Sequence, residues 1–260
     1  MRWIRFSTAG RHAAGIVEGD SIAEIDGNMF GEWRPTGAMH RLADVTIEVP
    51  NVPPTFYAAG LNYAKHVLEG AARRGETASL PKAADIGYRA NNALVAHGQD
   101  VIIPADADDA IHYEGELAVI IGKRTKNVPE AEAMGCIFGY SIGNDVSERD
   151  WQKHDRTFFR AKNTDTFKPM GPWIETALDL DAAETIVRVN GTETIRFATN
   201  ALLFSIATFI SRTSRYCTFV PGDMIWMGTD GTSPNIKSGD VVEIDITGIG
   251  TLRNRFVRRA

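Results

Sequence analysis

Two carboxylates stand two residues apart in an otherwise apolar stretch, His112-Tyr113-Glu114-Gly115-Glu116-Leu117-Ala118-Val119-Ile120-Ile121-Gly122. The run of Leu, Val and Ile ends at a glycine and lacks helical apolar spacing, which predicts a β-strand. Side chains alternate across a strand, so Glu114 and Glu116 share one face with Ala118 and Ile120, and that face reads as buried. Two ionised carboxylates side by side away from water repel each other and lose hydration. One of them must take up a proton or a cation must lie between them, and a hard divalent ion held by oxygen is the simplest answer. The same residues also suit the exposed edge of a half-solvated strand, where they would bind nothing.

Five further stretches could join this chemistry. Asn62-Tyr63-Ala64-Lys65-His66-Val67-Leu68-Glu69 predicts a helix capped by Asn62, with His66 and Glu69 three apart on one face. In a general base of this type the carboxylate orients the imidazole and raises its basicity. As a plain surface pair it would contribute only about 0.2–0.5 kcal/mol. Asp145 ends an apolar strand predicted over Cys136 to Ile142 and is either a third metal carboxylate or a turn residue. Ser147 is placed to cap a helix carrying Arg149 and Gln152 on one face. Lys162 falls in the polar, turn-like run Ala161 to Pro169, where a loop lysine is ordinarily just solvated. Gly228 to Asn235 is rich in glycine and hydroxyls, so its amides can hold an anion, but it matches no phosphate-binding loop and no GxGxxG opens a helix here.

The elements that must position these groups are mostly strands. Short strands are predicted over Trp3 to Phe6, Ala14 to Val17 and Ser21 to Ile25, forming a small β unit at residues 1–52. The proline-rich Val49 to Pro54 reads as an extended linker into a larger unit, residues 53–260. Residues 70–98 are irregular and glycine-punctuated, as in a lid or binding loop. Thr185 to Val189, Asn190-Gly191 and Thr192 to Phe197 form a β-hairpin signature. Leu202, Leu203, Ile206, Phe209 and Ile210 follow helical spacing within Asn200 to Thr213, a helix packed on a sheet. Strands and turns alternate from Pro221 to Ile246.

Composition narrows the partners. A hydrophobic fraction of 43% with 23% charged residues is that of an ordinary globular protein. A net charge of -5 argues against nucleic acid or an anionic membrane surface. Arg253, Arg255, Arg258 and Arg259 lack interleaved aromatics and read as a solvated basic tail. No run of about 18 apolar residues is present to span a bilayer. Arginines in Met1-Arg2-Trp3-Ile4-Arg5-Phe6 do not suit an export signal, and Cys136 and Cys217, in no CxxC spacing, read as free thiols of a cytoplasmic protein.

Taken in order, Gly60-Leu61-Asn62-Tyr63-Ala64 with His66 and Glu69, Tyr113-Glu114-Gly115-Glu116-Leu117-Ala118, Asn144-Asp145-Val146-Ser147 with Arg149, Asp150 and Gln152, Lys162 with Asp165-Thr166-Phe167, and Pro221-Gly222-Asp223 with Gly228-Thr229 form a series of motifs. This series resembles the fumarylacetoacetate hydrolase family over roughly residues 55 to 255, and the first 50 residues resemble a small N-terminal extension of some bacterial members. The resemblance implies an α+β, predominantly β fold, a mixed β-sandwich roll, in a homodimer binding Mg²⁺ or Mn²⁺, with Ca²⁺ also acceptable to such ligands. It implies that Glu114, Glu116 and Asp145 bind the metal, that His66 and Glu69 form a water-activating dyad with Lys162 as a third catalytic group, and that Tyr63, Arg149, Gln152 and Thr229 line a substrate pocket. The implied substrate is a small 2-oxo acid. The leading activity is hydrolysis of a carbon–carbon bond in an acylpyruvate of aromatic or sugar-acid catabolism. Decarboxylation, isomerisation or dehydration through the same enolate is the alternative, and a non-catalytic 2-oxo-acid binder is the rival of another class. Three departures stand out: Gly228-Thr229-Asp230-Gly231 where Gly-Thr-Pro is common, Glu148 in place of a small alanine, and Arg89 near a customary lysine, where it or a neighbour is expected to read a distal carboxylate of the substrate.

Overall fold

The computed structural model describes residues 1–259, with Arg74 described by its backbone alone. Strands make up 41% of it and helices 16%, so the fold is predominantly β. One long mixed sheet runs, edge to edge, through Trp33–Arg41, Ser21–Gly27, Arg11–Glu18, Arg2–Thr8, Lys168–Glu175, Ile137–Asn144, Gly115–Ile121, Met224–Trp226, Phe56–Ala59 and Ile86–Tyr88. A second sheet, Thr192–Ala198, Glu184–Val189, Val241–Ile246, Gly250–Arg258 and Val101–Ile103, packs against it to complete the sandwich roll.

The strand Gly115–Ile121 is buried along its whole length because each face meets a different core. Leu117, Val119 and Ile121 point between the sheets with Val187, Ile244, Ile246 and Phe256. Ala118 and Ile120 join Phe56, Met170, Ile174, Met224 and Trp226 on the other side. Continuous burial explains why this strand reads as an unbroken apolar run, with no alternation of apolar and polar residues. Its neighbour Ile137–Asn144 pairs antiparallel, setting Glu116 opposite Gly143. A methyl group on Gly143 would stand 2.8 Å from the Trp226 ring, so the glycine is what lets the indole lie flat there. Gly143→Ala is accordingly expected to lower stability by about 1–3 kcal/mol, as overpacking does, read as a lower urea midpoint.

Several sequence expectations are revised. The N-terminal strands are continuous with the large sheet, since Arg2 and Trp3 pair with Glu175 and Ile174. They include a fourth strand, Trp33–Arg41, whose Pro35 and Gly37 hide it from pattern reading. The proline-rich segment is no free linker: Asn51 is buried and donates to the Gly222 carbonyl at 2.7 Å. The arginine-rich C-terminus is a strand. Leu252, Asn254 and Phe256 face inward while Arg253 and Arg255 reach out to Glu243 and Asp100, and Arg258 pairs with Asp109. The helix expected from Asn200 begins only at Ile206, where the Ser205 hydroxyl caps it by accepting from Thr208. The hairpin forms as expected, with Asn190 and Gly191 both at positive φ in the turn. No helix among the described residues is long and apolar enough to cross a membrane.

Candidate active site

Antiparallel pairing places the end of one strand beside the start of the other, so Gly115 opposite Asn144 brings Glu114 and Asp145 together. The junction is locked by the backbone: Asp145 N–H donates to the Glu114 carbonyl at 2.9 Å, and the Asn144 side chain accepts from Glu114 N–H at 3.0 Å. Carboxylate oxygens of Glu114, Glu116 and Asp145 then lie within 4.8 Å of one another, and all three residues are buried. The buried-face reading of Glu114 and Glu116 holds, and Asp145 is part of the cluster.

Four cations surround the three acids, unevenly. Lys162 Nζ bonds Glu114 and reaches Asp145 Oδ2 at 2.7 Å. Arg149 holds Glu114 through one nitrogen, Gln152 through a second at 2.8 Å, and His112 Nδ1 through Nε at 3.1 Å. Arg89 grips both oxygens of Asp145 at 2.8–3.3 Å. Beneath them Lys168, fully buried, bonds Asp145 Oδ1 at 2.8 Å and donates to the carbonyls of Val146 and Phe167. Three acceptors match the three donors of an ammonium. Among the described residues Glu116 has only the Gly228 N–H as a hydrogen-bond donor, at 2.8 Å.

This asymmetry sets the charges. Burial pushes the Glu114 carboxyl up, but Arg149 and Lys162 outweigh it and bring it down to about 2. Burial acts likewise on Asp145, and Arg89, Lys162 and Lys168 hold it well below the usual range. Glu116, buried and repelled by Asp145 and Glu114, is pushed up to about 8. Burial, with Arg89 and Lys162 nearby, draws Lys168 down to about 7 against the pull of Asp145. Burial and Arg149 bring His112 down to about 4, in keeping with its Nδ1 accepting from Arg149.

The helix Ala64–Arg74 carries His66 to the edge of this cluster, with Nε2 4.0 Å from Glu114 Oε1. Its Nδ1 bonds the Gly231 carbonyl at 2.6 Å. The expected pairing of His66 with Glu69 is not made: Glu69 instead accepts from the Thr232 hydroxyl at 3.2 Å and lies 3.8 Å from Lys65. The loop running past the helix takes each side chain separately. Asn62 does not cap the helix. It bonds Phe204 and Met227 across the chain, and the Asp230 carboxylate accepts from His66 N–H in its place. Tyr63 is turned into the core, its hydroxyl donating to Thr199 at 2.6 Å and its ring against Phe197, so it does not face the carboxylates with its polar end. Thr229 is buried next to Gly228.

Lys162 lies on a short helix, Phe159–Asn163, not in a solvated loop, and is buried by the acids it neutralises. Ser147 does not cap the helix Arg149–Gln152. Its hydroxyl donates to the Asp145 carbonyl at 2.9 Å, and the unusual Glu148 caps by accepting from Asp150 and Trp151. Arg89, near the customary lysine position, is engaged by Asp145. Lys168 and His112 escaped sequence reading. The signal for Lys168 is a lone lysine inside the apolar run Phe167-Lys168-Pro169-Met170.

Residues 55–257 match the model of the fumarylacetoacetate (FAA) hydrolase C-terminal family, and residues 1–50 match the Rv2993c-like N-terminal family. The chain belongs to the fumarylacetoacetate hydrolase family. Among family relatives, protein Rv2993c of Mycobacterium tuberculosis is 39% identical over 239 residues, 91% of this chain and 88% of that one. Oxaloacetate tautomerase YisK of Bacillus subtilis is 31% identical over 93% of this chain and 84% of its own. A crystal structure of 5-carboxymethyl-2-hydroxymuconate delta-isomerase from Mycobacterium smegmatis superposes with a TM-score of 0.90 at 40% identity, covering both chains fully. Maleylpyruvate hydrolase from Sphingobium, solved with manganese(II) and pyruvate, superposes at 0.79 with 25% identity, again over the whole of both chains.

The residues present suit a divalent ion such as the manganese(II) bound by that neighbour. Three converging carboxylates form an all-oxygen donor set appropriate to Mg²⁺ or Mn²⁺. Glu116, short of donors, is the acid whose burial a cation would best relieve.

Proposed function

We propose that this family member is a divalent-metal-dependent enzyme acting on a small 2-oxo acid through its enol form, and that its reaction is proton transfer between carbon and oxygen, a tautomerisation or isomerisation. The observation that carries this reading is the His66 imidazole, held at Nδ1 by a backbone carbonyl instead of a carboxylate, with Nε2 directed toward the acidic cluster. Donation from Nδ1 to Gly231 leaves Nε2 as the basic nitrogen. Such a base suits taking a proton from the carbon beside a keto group and returning it to oxygen. An ion held by Glu114, Glu116 and Asp145 would supply Lewis acidity at the keto and carboxylate oxygens. Lys162 places an ammonium where negative charge develops on the substrate, in a setting that excludes water. Arg149, braced by Gln152 and His112, keeps Glu114 ionised and oriented. The named activities of the M. smegmatis and B. subtilis relatives support this class of reaction.

A second reading is hydrolysis of the carbon–carbon bond of an acylpyruvate, of the fumarylacetoacetate or fumarylpyruvate type, in which His66 deprotonates a water. It is favoured by Glu69, one helical turn away, whose carboxylate lies 3.8 Å from the Cβ position of Gly231, the residue whose carbonyl holds His66. The two readings separate experimentally. With Mg²⁺ or Mn²⁺ present, the enol-to-keto conversion of oxaloacetate is followed by ultraviolet absorbance, and acylpyruvate cleavage is followed in parallel. His66→Ala is expected to lower kcat for tautomerisation about 10²–10⁴-fold, with Glu69→Gln nearly unaffected. A loss in Glu69→Gln confined to acylpyruvate cleavage would select the hydrolase. Wild-type protein that binds oxalate with metal yet accelerates neither reaction would be a binder only.

A further inference from the structure

The loop after Trp226 makes an ordered set of contacts with the helix that carries His66. Asp230 accepts from His66 N–H at 3.1 Å, the Gly231 carbonyl meets His66 Nδ1 at 2.6 Å, Thr232 donates to Glu69 at 3.2 Å, and the Ser233 carbonyl accepts from Arg73 at 3.3 Å. Residues 66, 69 and 73 are spaced three and four apart, so the loop follows one face of the helix in register. At its ends the same loop is tied to the acidic cluster. Gly228 N–H donates to Glu116, while the Ser233 hydroxyl and Asn235 side chain hold Tyr113 N–H and His112, the two residues before Glu114.

Among the described residues the helix has few other ties. Val67 and Ala71 are its only buried apolar side chains among the described residues, and Leu68 is exposed. Its first residue is preceded by Tyr63, which supplies no side-chain cap. A helix begins with backbone N–H groups that need acceptors and favour negative charge, and Asp230 provides both from across the chain. The loop can come this close because Gly231 adopts a positive φ of +58°, and a Cβ there would stand 2.1 Å from Ile195.

We propose that Asp230 is a positioning residue: it docks the N-terminus of the helix Ala64–Arg74 so that the Gly231 carbonyl selects the His66 tautomer with Nε2 basic. The part of this that concerns catalysis rests on the reading of His66 as the base; the docking itself does not. Thr232 acts with it by drawing Glu69 away from the imidazole, which leaves the carbonyl as the partner of Nδ1.

The test compares wild type, Asp230→Asn, which keeps an oxygen acceptor, and Asp230→Ala, which removes it. Amide hydrogen exchange over Ala64 to Arg74 is expected to be about fivefold faster in Asp230→Ala, the effect of losing a helix cap, and near wild type in Asp230→Asn. Exchange in the strand Gly115–Ile121 should match wild type, showing that both variants are folded. In ¹⁵N-histidine spectra, His66 should be the Nδ1–H tautomer in wild type and Asp230→Asn, and a mixture in Asp230→Ala. With oxaloacetate, kcat should fall in Asp230→Ala with KM unchanged, and recover in Asp230→Asn. Unchanged helix exchange in Asp230→Ala, or equal acceleration in both variants, would overturn the docking role. A loosened helix with wild-type His66 tautomer and kcat would overturn the positioning role alone. If wild type itself shows no turnover, the proposed function fails, while exchange and tautomer still decide the role of Asp230.

Discussion

Asp145→Ala is expected to lower stability by about 3–5 kcal/mol, the usual consequence of removing one partner from a buried charge pair, and to abolish metal binding. Asp145 is 1% exposed and accepts from Arg89, Lys162 and Lys168. Lys162 retains Glu114 when Asp145 is lost, but among the described residues Arg89 and Lys168 have no other carboxylate as a hydrogen-bond partner. Two buried cations would then face each other uncompensated. Urea unfolding followed by fluorescence should show a lower midpoint with an unchanged slope. Asp145→Asn, which keeps an acceptor oxygen, should fall between the two. A variant Asp145→Ala within about 1 kcal/mol of wild type would show that the cations relax to solvent and that the network has no structural weight.

Glu116→Gln is expected to behave in the opposite way, although it too removes a carboxylate from the cluster. With its carboxyl raised from 4.5 to about 8, Glu116 binds its proton more tightly in the folded than in the unfolded chain. Its contribution to stability is therefore fully present below about pH 4.5 and is lost as pH rises through about 8. Metal-free wild type should lose stability relative to Glu116→Gln across that window. A divalent ion must displace this proton, so its affinity should rise about tenfold per pH unit from neutrality to the folded pKa, with about one proton released per ion. Calorimetric titration of Mn²⁺ in buffers of different ionisation enthalpy measures the release directly. Binding that is independent of pH between 6 and 8, on the order of one proton fewer than expected, would mean that Glu116 is already ionised in the free site.

The sequence carried the acidic cluster further than it carried the partners of that cluster. Glu114 and Glu116 were legible because carboxylates in an apolar strand are conspicuous, and Asp145 because it ends a strand. What joins them is antiparallel register, Gly115 opposite Asn144, and register between strands some 30 residues apart leaves no local mark. The errors share this origin. Asn62 and Ser147 are good local caps by type, yet Asn62 is drawn to Phe204 and Met227 and Ser147 turns back to the Asp145 carbonyl, and Asp230 and Glu148 take over their roles. His66 and Glu69 share a helix face as their spacing demands, but the competing loop decides what each one bonds. Lys162 looked solvated because burial by distant acids cannot be read from its neighbours in the chain. Trp33–Arg41 was missed because its exposed residues include a proline and a glycine, and pattern reading depends on a buried face.

The order of strands in the large sheet also constrains how the chain reaches its native state. One edge of Arg2–Thr8 takes a partner as late as Lys168–Glu175, one edge of Phe56–Ala59 as late as Met224–Trp226, and Val101–Ile103 pairs with Gly250–Arg258. During synthesis, each early strand therefore waits for most of the polypeptide before that edge can be paired. Contacts so remote in sequence require large loops to close first, which slows folding and prolongs the life of open edges. The carboxylates and cations of the centre emerge midway, before Gly228 exists to meet Glu116. Dilution into low concentrations of chain, or synthesis slowed by cold, should accordingly favour recovery of native protein over aggregate, and a divalent ion added during refolding should act late, after the final third of the sequence has joined the sheet.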